Sequence, residues 1–150
     1  MKKKLRKAVF IVIYSFEKNK PIYLMLKRKL HWKGWEFPKG GIEWFETKRC
    51  AAKRESKEET GLEVFNLKKH SYHGSYLYPK MFNDRVDYFG QTFTLFSAEI
   101  KLEKKKIVLD PKEHSGYKWM TYSEAMKKLT YQEKKESLKI VNDWVMDKFK

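Results

Sequence analysis

An α/β fold, with a mixed β-sheet carrying helices on both faces, is what this sequence predicts. Runs rich in Val, Ile, Phe and Tyr alternate with segments of helical periodicity, in the order strands, helix, strands, helix. The breaks between them are marked by Gly, Pro and Asn, with no repeat, low-complexity stretch or long linker.

Each element carries its own signal. AVFIVIYSF (8–16) is β-branched and aromatic and reads as a buried strand. Lys2, Lys3, Lys4, Arg6 and Lys7 precede it, a combination similar to the start of a signal peptide. Glu17, Lys18, Asn19 and Lys20 come next, with no small-residue cleavage site, and the apolar run is too short to span a bilayer. The break at 17–21 joins it to a second strand, IYLMLK, as a hairpin-like connection. WEFPKGG (35–41) reads as a loop built on Pro38 and two glycines. A helix is expected from about 47 to 60, with Thr47 as its N-cap and Gly61 as a left-handed C-cap. EVFNLKKHSY and VDYFGQTFTLFSAEI read as strands around an aromatic, polar loop (76–85), and 117–120 as a short strand. A last helix, roughly 131–149, is marked by Leu138, Val141, Trp144, Val145 and Phe149 at helical spacing, a stripe expected to pack on the core.

Composition bounds the function. The 150 residues fit one domain, and 41% hydrophobic with 16% aromatic content excludes a disordered chain. Cys50 is the lone cysteine, so an intramolecular disulfide is excluded, and a reducing, cytoplasmic setting is expected with no membrane span. The net charge of +15 would draw nucleotides, polyphosphates, RNA or an acidic membrane surface, although a lysine-rich or heat-adapted surface has the same composition.

The chemistry is concentrated in the first helix. Glu55, Glu58 and Glu59 stand at i, i+3 and i+4, so three carboxylates share one helical face. Each like-charge pair costs roughly 0.2–0.5 kcal/mol. Their place in the last turns, at the negative end of the dipole, adds a penalty of about 0.3–1 kcal/mol at exposed sites. Either Lys53, Arg54 and Lys57 neutralise a solvated stripe, or a hard divalent cation does; magnesium is commonly held by one or two carboxylates plus substrate phosphates.

The full spacing resembles the Nudix box, G-x5-E-x7-R-E-U-x-E-E-x-G-U with U apolar. Gly40, Glu46, Arg54, Glu55, Glu58, Glu59 and Gly61 fill every fixed position, and Leu62 the last apolar one. Ser56 departs from the pattern where an apolar residue is usual; its hydroxyl can pack or bond back to the helix. The resemblance implies an α/β/α sandwich whose loop-helix-loop binds Mg2+, with Mn2+ as a substitute. It also implies hydrolysis of a pyrophosphate linkage by water. Glu55 and Glu59 would be metal ligands and Glu58 a ligand or its neighbour, while the carbonyl of Gly40 or Gly41 would complete the shell. Arg54 and Glu46 would pair to fix the helix against its loop.

A further stretch, Glu113-His114-Ser115-Gly116-Tyr117-Lys118-Trp119, is similar to the E-H-x-x-Y-x-W segment of the diadenosine tetraphosphate hydrolases. By that resemblance Glu113 is a fourth carboxylate, either a metal ligand or the base that activates water, with Glu99 as the alternative. Tyr117 and Tyr131 would stack an adenine, Lys39 would face phosphate, and His114 would touch phosphate or simply neighbour Glu113. Gly41 stands where that branch has histidine, and P-K-G-G-I-E also resembles RNA 5′-pyrophosphohydrolases and diphosphoinositol polyphosphate hydrolases. Tyr88-Phe89-Gly90-Gln91 is similar to the RNA-processing branch. The expected partner is therefore a nucleotide or polyphosphate, foremost a dinucleoside polyphosphate, with an RNA 5′ end as the alternative. A non-catalytic nucleotide- or RNA-binding module is the reading from another class.

Overall fold

The computed structural model describes residues 4–29, 33–78, 87–102 and 107–149. β1 (Lys4–Glu17) and β2 (Lys20–Arg28) form an antiparallel hairpin turned on Lys18 and Asn19, at φ 51° and 62°. Two successive positive φ values are the type I′ pattern, whose twist matches that of the flanking strands.

β1 is the middle of the molecule. Val9, Ile11 and Ile13 enter one core while Phe10, Val12 and Tyr14 enter the other. Successive side chains alternate across a strand, so burial on both faces requires the unbroken apolar run seen in the sequence. Along β1 run a parallel partner, β6 (Tyr88–Glu99), and antiparallel ones, β2 and β4 (Lys39–Gly41). β3 (Gly34–Glu36) and β7 (His114–Thr121) pair with β2, and β5 (Phe65–Leu77) pairs with β6. The result is a seven-stranded mixed sheet ordered β3-β2-β1-β6-β5, with β4 on β1 and β7 on β2.

Helices cover both faces. α1 (Lys48–Thr60) packs Ala51 and Ala52 into the core around Val9, Ile11 and Leu24. α2 (Tyr122–Lys128) and α3 (Gln132–Lys148) cover the other face with Ala125, Leu138, Val141 and Val145. Both caps of α1 are as expected: Thr47 Oγ1 accepts from the Cys50 N–H at 3.1 Å, and Gly61 sits at φ 75° with its N–H on Lys57 O at 2.7 Å. The α3 stripe packs as expected too, and Phe149 meets Phe16 at 5.2 Å between ring centroids.

Some expectations are corrected. The 35–41 loop is mostly two three-residue strands, β3 and β4, formed because β2 and β1 offer free pairing edges. β5 runs on to Leu77, so the loop expected from 76 begins later, and 79–86 lie outside the described residues. β7 begins at His114, not 117, and α2 is an element additional to those expected. Among the described residues no helix is long and apolar enough to cross a membrane.

Candidate metal and phosphate site

The three box carboxylates do not end in one environment. Glu59 is 3% exposed, and its Oε2 accepts from the Lys39 backbone N–H at 3.2 Å. Glu55 is 13% exposed and lies against β4; a Cβ at Gly40 would displace its carboxyl, so the glycine leaves that carboxyl room where it sits. Glu58 is 58% exposed and reaches no further than Arg54, at 3.3 Å. The helix therefore turns two carboxylates inward and leaves the third at the solvent edge.

Glu113 and His114 arrive from the start of β7. The Glu113 carbonyl accepts from Lys29 N–H at 2.9 Å, and both residues' N–H groups donate to Asp110 O, at 3.2 and 3.1 Å. One oxygen each of Glu59 and Glu113 and one ring nitrogen of His114 lie within 4.8 Å of one another.

Burial and crowding set the charges. Burial, foremost, raises the Glu55 carboxyl to about 7; Arg54 opposes the rise, while Glu58 and Glu113 add to it. Burial again, then Glu36, Glu113 and Glu55, hold Glu59 well above the ordinary carboxylate range. Glu59 Oε1 is buried with no hydrogen-bond partner. Clustered oxygens with one left unpartnered are what a hard divalent cation requires, so the residues present fit magnesium.

Arg54 organises the outer side. Its Nε donates to Glu46 Oε2 at 3.0 Å, its Nη2 also reaches Glu46 and donates to Gly41 O at 2.8 Å, and its Nη1 donates to Glu55 Oε1 at 2.8 Å. The Glu46 hydrogen bond raises the guanidinium's pKa further, and the same bond lowers that of Glu46. One guanidinium thus ties the β4–α1 loop to the helix. Ser56, the departure from the box, is fully buried and bonds back to Ala52 O at 2.7 Å.

A small cavity faces this cluster, lined by Arg6, Arg28, Lys39, Gly40, Glu55, Gln91 and Glu113. Behind it lies a buried hub on Glu36, which is 0% exposed. Its carboxylate meets Arg28 Nη1 at 2.9 Å, His114 Nε2 at 2.9 Å and Lys134 Nζ at 3.1 Å, with Lys39 Nζ at 3.9 Å. Burial alone would push Glu36 up, but Lys39, Lys134, the His114 hydrogen bond and Arg28 more than offset it and hold it well below the usual range.

The structure alters several sequence assignments. His114 is 1% exposed and bonded to Glu36, so it is not a surface contact for phosphate. Glu99 ends β6 accepting from Asn66 at 3.1 Å and lies beside Tyr14, outside the carboxylate cluster. The Gly41 carbonyl is engaged by Arg54, which leaves Gly40 as the nearer backbone neighbour of Glu55. Lys39, expected to face phosphate, is buried and lines the cavity. Tyr117 and Tyr131 are 41% and 38% exposed, on β7 and at the N-cap of α3, and Lys134 Nζ lies 5.4 Å over the Tyr131 ring.

Sequence reading missed Arg6, Arg28, Gln91 and Glu36. For Glu36 a signal existed: it is a charge set within the otherwise apolar WEFP.

The NUDIX domain pattern matches residues 4–140. An RNA pyrophosphohydrolase from a Nitratiruptor species is 31% identical over 135 residues, 87% of this chain and 86% of that one. The C. elegans Ap4A hydrolase, in a binary complex, superposes with a TM-score of 0.76 at 24% identity over 95% of this chain and 99% of that chain. The E. coli dihydroneopterin triphosphate pyrophosphohydrolase gives 0.73 at 23% identity over 93% and 97%. These structural likenesses extend to the fold.

Proposed function

We propose, for a chain that belongs to the NUDIX domain family and is a pyrophosphohydrolase of that family, that its substrate is a dinucleoside polyphosphate cut in a magnesium-dependent reaction. The 150 residues would act as one catalytic domain. The observation that carries this reading is the cavity in which Arg6, Arg28 and Lys39 stand opposite Glu55 and Glu113. Cations beside a carboxylate cluster are what a polyphosphate chain and its metal ion need together.

Glu55, Glu59 and Glu113 would hold the ion, with the Gly40 backbone beside them. Once bound, a divalent cation balances charge on the phosphate oxygens and lowers the pKa of water. Arg28 and Lys39 bind and orient the phosphate chain, and their buried setting strengthens each contact. Glu58, the box carboxylate left at the solvent edge, takes the proton of the attacking water. Arg54 and Glu46 are positioning residues: they hold the loop against α1 so that Glu55 keeps its place. Tyr117, exposed on β7, offers an aromatic face to a base, and Tyr131 offers a second.

Two observations favour a second reading, a 5′-triphosphorylated RNA. The relative at 31% identity is an RNA pyrophosphohydrolase, and a charge of +15 suits a longer polyanion. A substrate panel separates the two. With a dinucleoside tetraphosphate, Tyr117→Ala should lower kcat/KM by roughly five- to a hundred-fold, since a stacked base contributes about 1–3 kcal/mol. A better rate on triphosphorylated RNA, falling steeply with salt, would replace the dinucleotide assignment with the RNA one.

A further inference from the structure

We propose that His114 is a nitrogen ligand of the cation site through Nδ1. The site then becomes a mixed carboxylate–imidazole centre that takes Mn2+ or a later first-row divalent cation more tightly than Mg2+. The inference rests on the metal-dependent reading above and deepens it by naming a ligand and a metal class.

The tautomer follows from the hub. Both oxygens of the buried Glu36 accept from cationic donors, Oε2 from Arg28 Nη1 at 2.9 Å and Oε1 from Lys134 Nζ at 3.1 Å, so Oε2, 2.9 Å from His114 Nε2, acts as an acceptor there too. The ring must carry a proton on Nε2, and in the neutral imidazole Nδ1 then holds a bare lone pair. Donation of one ring N–H to a carboxylate while the other nitrogen stays open is the arrangement found behind metal-bound histidines.

Nδ1 of His114 is buried and has no hydrogen-bond partner, and the same holds for Oε1 of Glu59. A histidine nitrogen, a Glu59 oxygen and a Glu113 oxygen fall within 4.8 Å of one another, close enough to share a single ion. An unprotonated nitrogen has nothing to give a phosphate oxygen, which is itself an acceptor. It can pair with a cation. The position is also fixed from both sides: His114 pairs with Arg28 in the sheet, and its N–H is held by Asp110 O at 3.1 Å. Imidazole favours transition cations, whereas Mg2+ prefers an all-oxygen shell.

The test loads the full chain with Mn2+ and reads the electron spin echo of the bound ion, with and without 15N-histidine labelling. The expected result is a nitrogen modulation that changes on labelling and disappears in His114→Gln. By calorimetry the same variant should bind Mn2+ about ten- to a hundred-fold more weakly, while Mg2+ affinity moves far less. Should glutamine prevent folding, His114→Asn replaces it, and the labelled wild-type spectrum needs no variant at all. Mn2+ that binds, is lost in Glu59→Gln, yet shows no histidine coupling overturns this proposal and leaves the hydrolase reading standing. A coupling that survives both His114 variants overturns it as well. Failure of the chain to bind Mn2+ or Mg2+ at all overturns both.

Discussion

The backbone N–H of Lys39 donates to Oε2 of Glu59 across 3.2 Å, so strand β4 and the last turn of α1 meet at a buried carboxylate. That bond satisfies one oxygen and leaves Oε1 without a partner at the negative end of a helix. Like charge from Glu36, Glu113 and Glu55 surrounds it. A cation relieves all of these at once.

Glu59→Gln should therefore remove nearly all turnover while keeping the fold. Burial and the carboxylates around it already favour the protonated form of Glu59 without metal, and glutamine has nearly the same shape, so the melting temperature without metal should stay level or rise. Steady-state kinetics and a thermal melt check this. More than about a tenth of the wild-type rate, a barrier change under ~1.4 kcal/mol, would mean Glu59 is not a ligand.

Magnesium should raise the melting temperature, and Glu55→Gln should abolish the shift. The effect should depend on pH in a defined direction. Glu55 is raised from 4.5 to about 7, so the folded chain keeps a proton that the unfolded chain releases. The associated stability is present below about 4.5 and lost as pH rises through about 7, a loss on the order of 3 kcal/mol that Glu55→Gln should not show. Metal binding needs the carboxylate deprotonated, so the magnesium shift should grow over the same window. Melts from pH 5 to 8, with and without magnesium, test both signs.

How much of this was legible in the sequence depended on how local each feature is. The caps of α1, the spacing of its carboxylates and the β1–β2 hairpin are set by neighbours in the chain, and they read directly. The Glu36 hub draws on Arg28, Lys39, His114 and Lys134, in β2, β4, β7 and α3, so no spacing rule could announce it. β3 and β4, three residues each, exist through their pairing partners rather than propensity. α2 is different. Thr121 and Glu124 form a capping box, and its signature stands in the sequence as TYSE, a local signal strong enough to mark the helix start.

Arg54→Lys should behave as a positioning variant. Lysine keeps the charge but not the fork that joins Glu46, Gly41 O and Glu55. The expected outcome is a fall in kcat of roughly ten- to a hundred-fold, about 1.4–2.7 kcal/mol, with KM nearly unchanged. An equal loss through KM alone would instead place Arg54 on the substrate.

His70 should limit stability in acid. It is buried against Ser97 Oγ at 2.8 Å, and burial, aided by Lys68, lowers its pKa from 6.5 to about 4. Unfolded chains take up a proton here before folded ones do, so stability present above 6.5 is lost as pH falls towards about 4. The contribution is on the order of 3 kcal/mol. Denaturant melts of His70→Gln between pH 4 and 7 should show a shallower acid slope than wild type, offset by a lower plateau at neutral pH. An unchanged slope would mean the ring is protonated in the folded state.

Glu55, Glu59 and Glu113 are the proposed metal-dependent centre for breaking a pyrophosphate linkage: Glu59 and Glu113 lie within reach of one ion, and Glu113 also bears on Glu55. Its most direct test is chromatography of the products formed from a dinucleoside tetraphosphate by wild type and Glu59→Gln, in magnesium and in a chelator. Nucleoside phosphates are expected from wild type in magnesium only. Equal product from the chelated enzyme, or from Glu59→Gln, would contradict it.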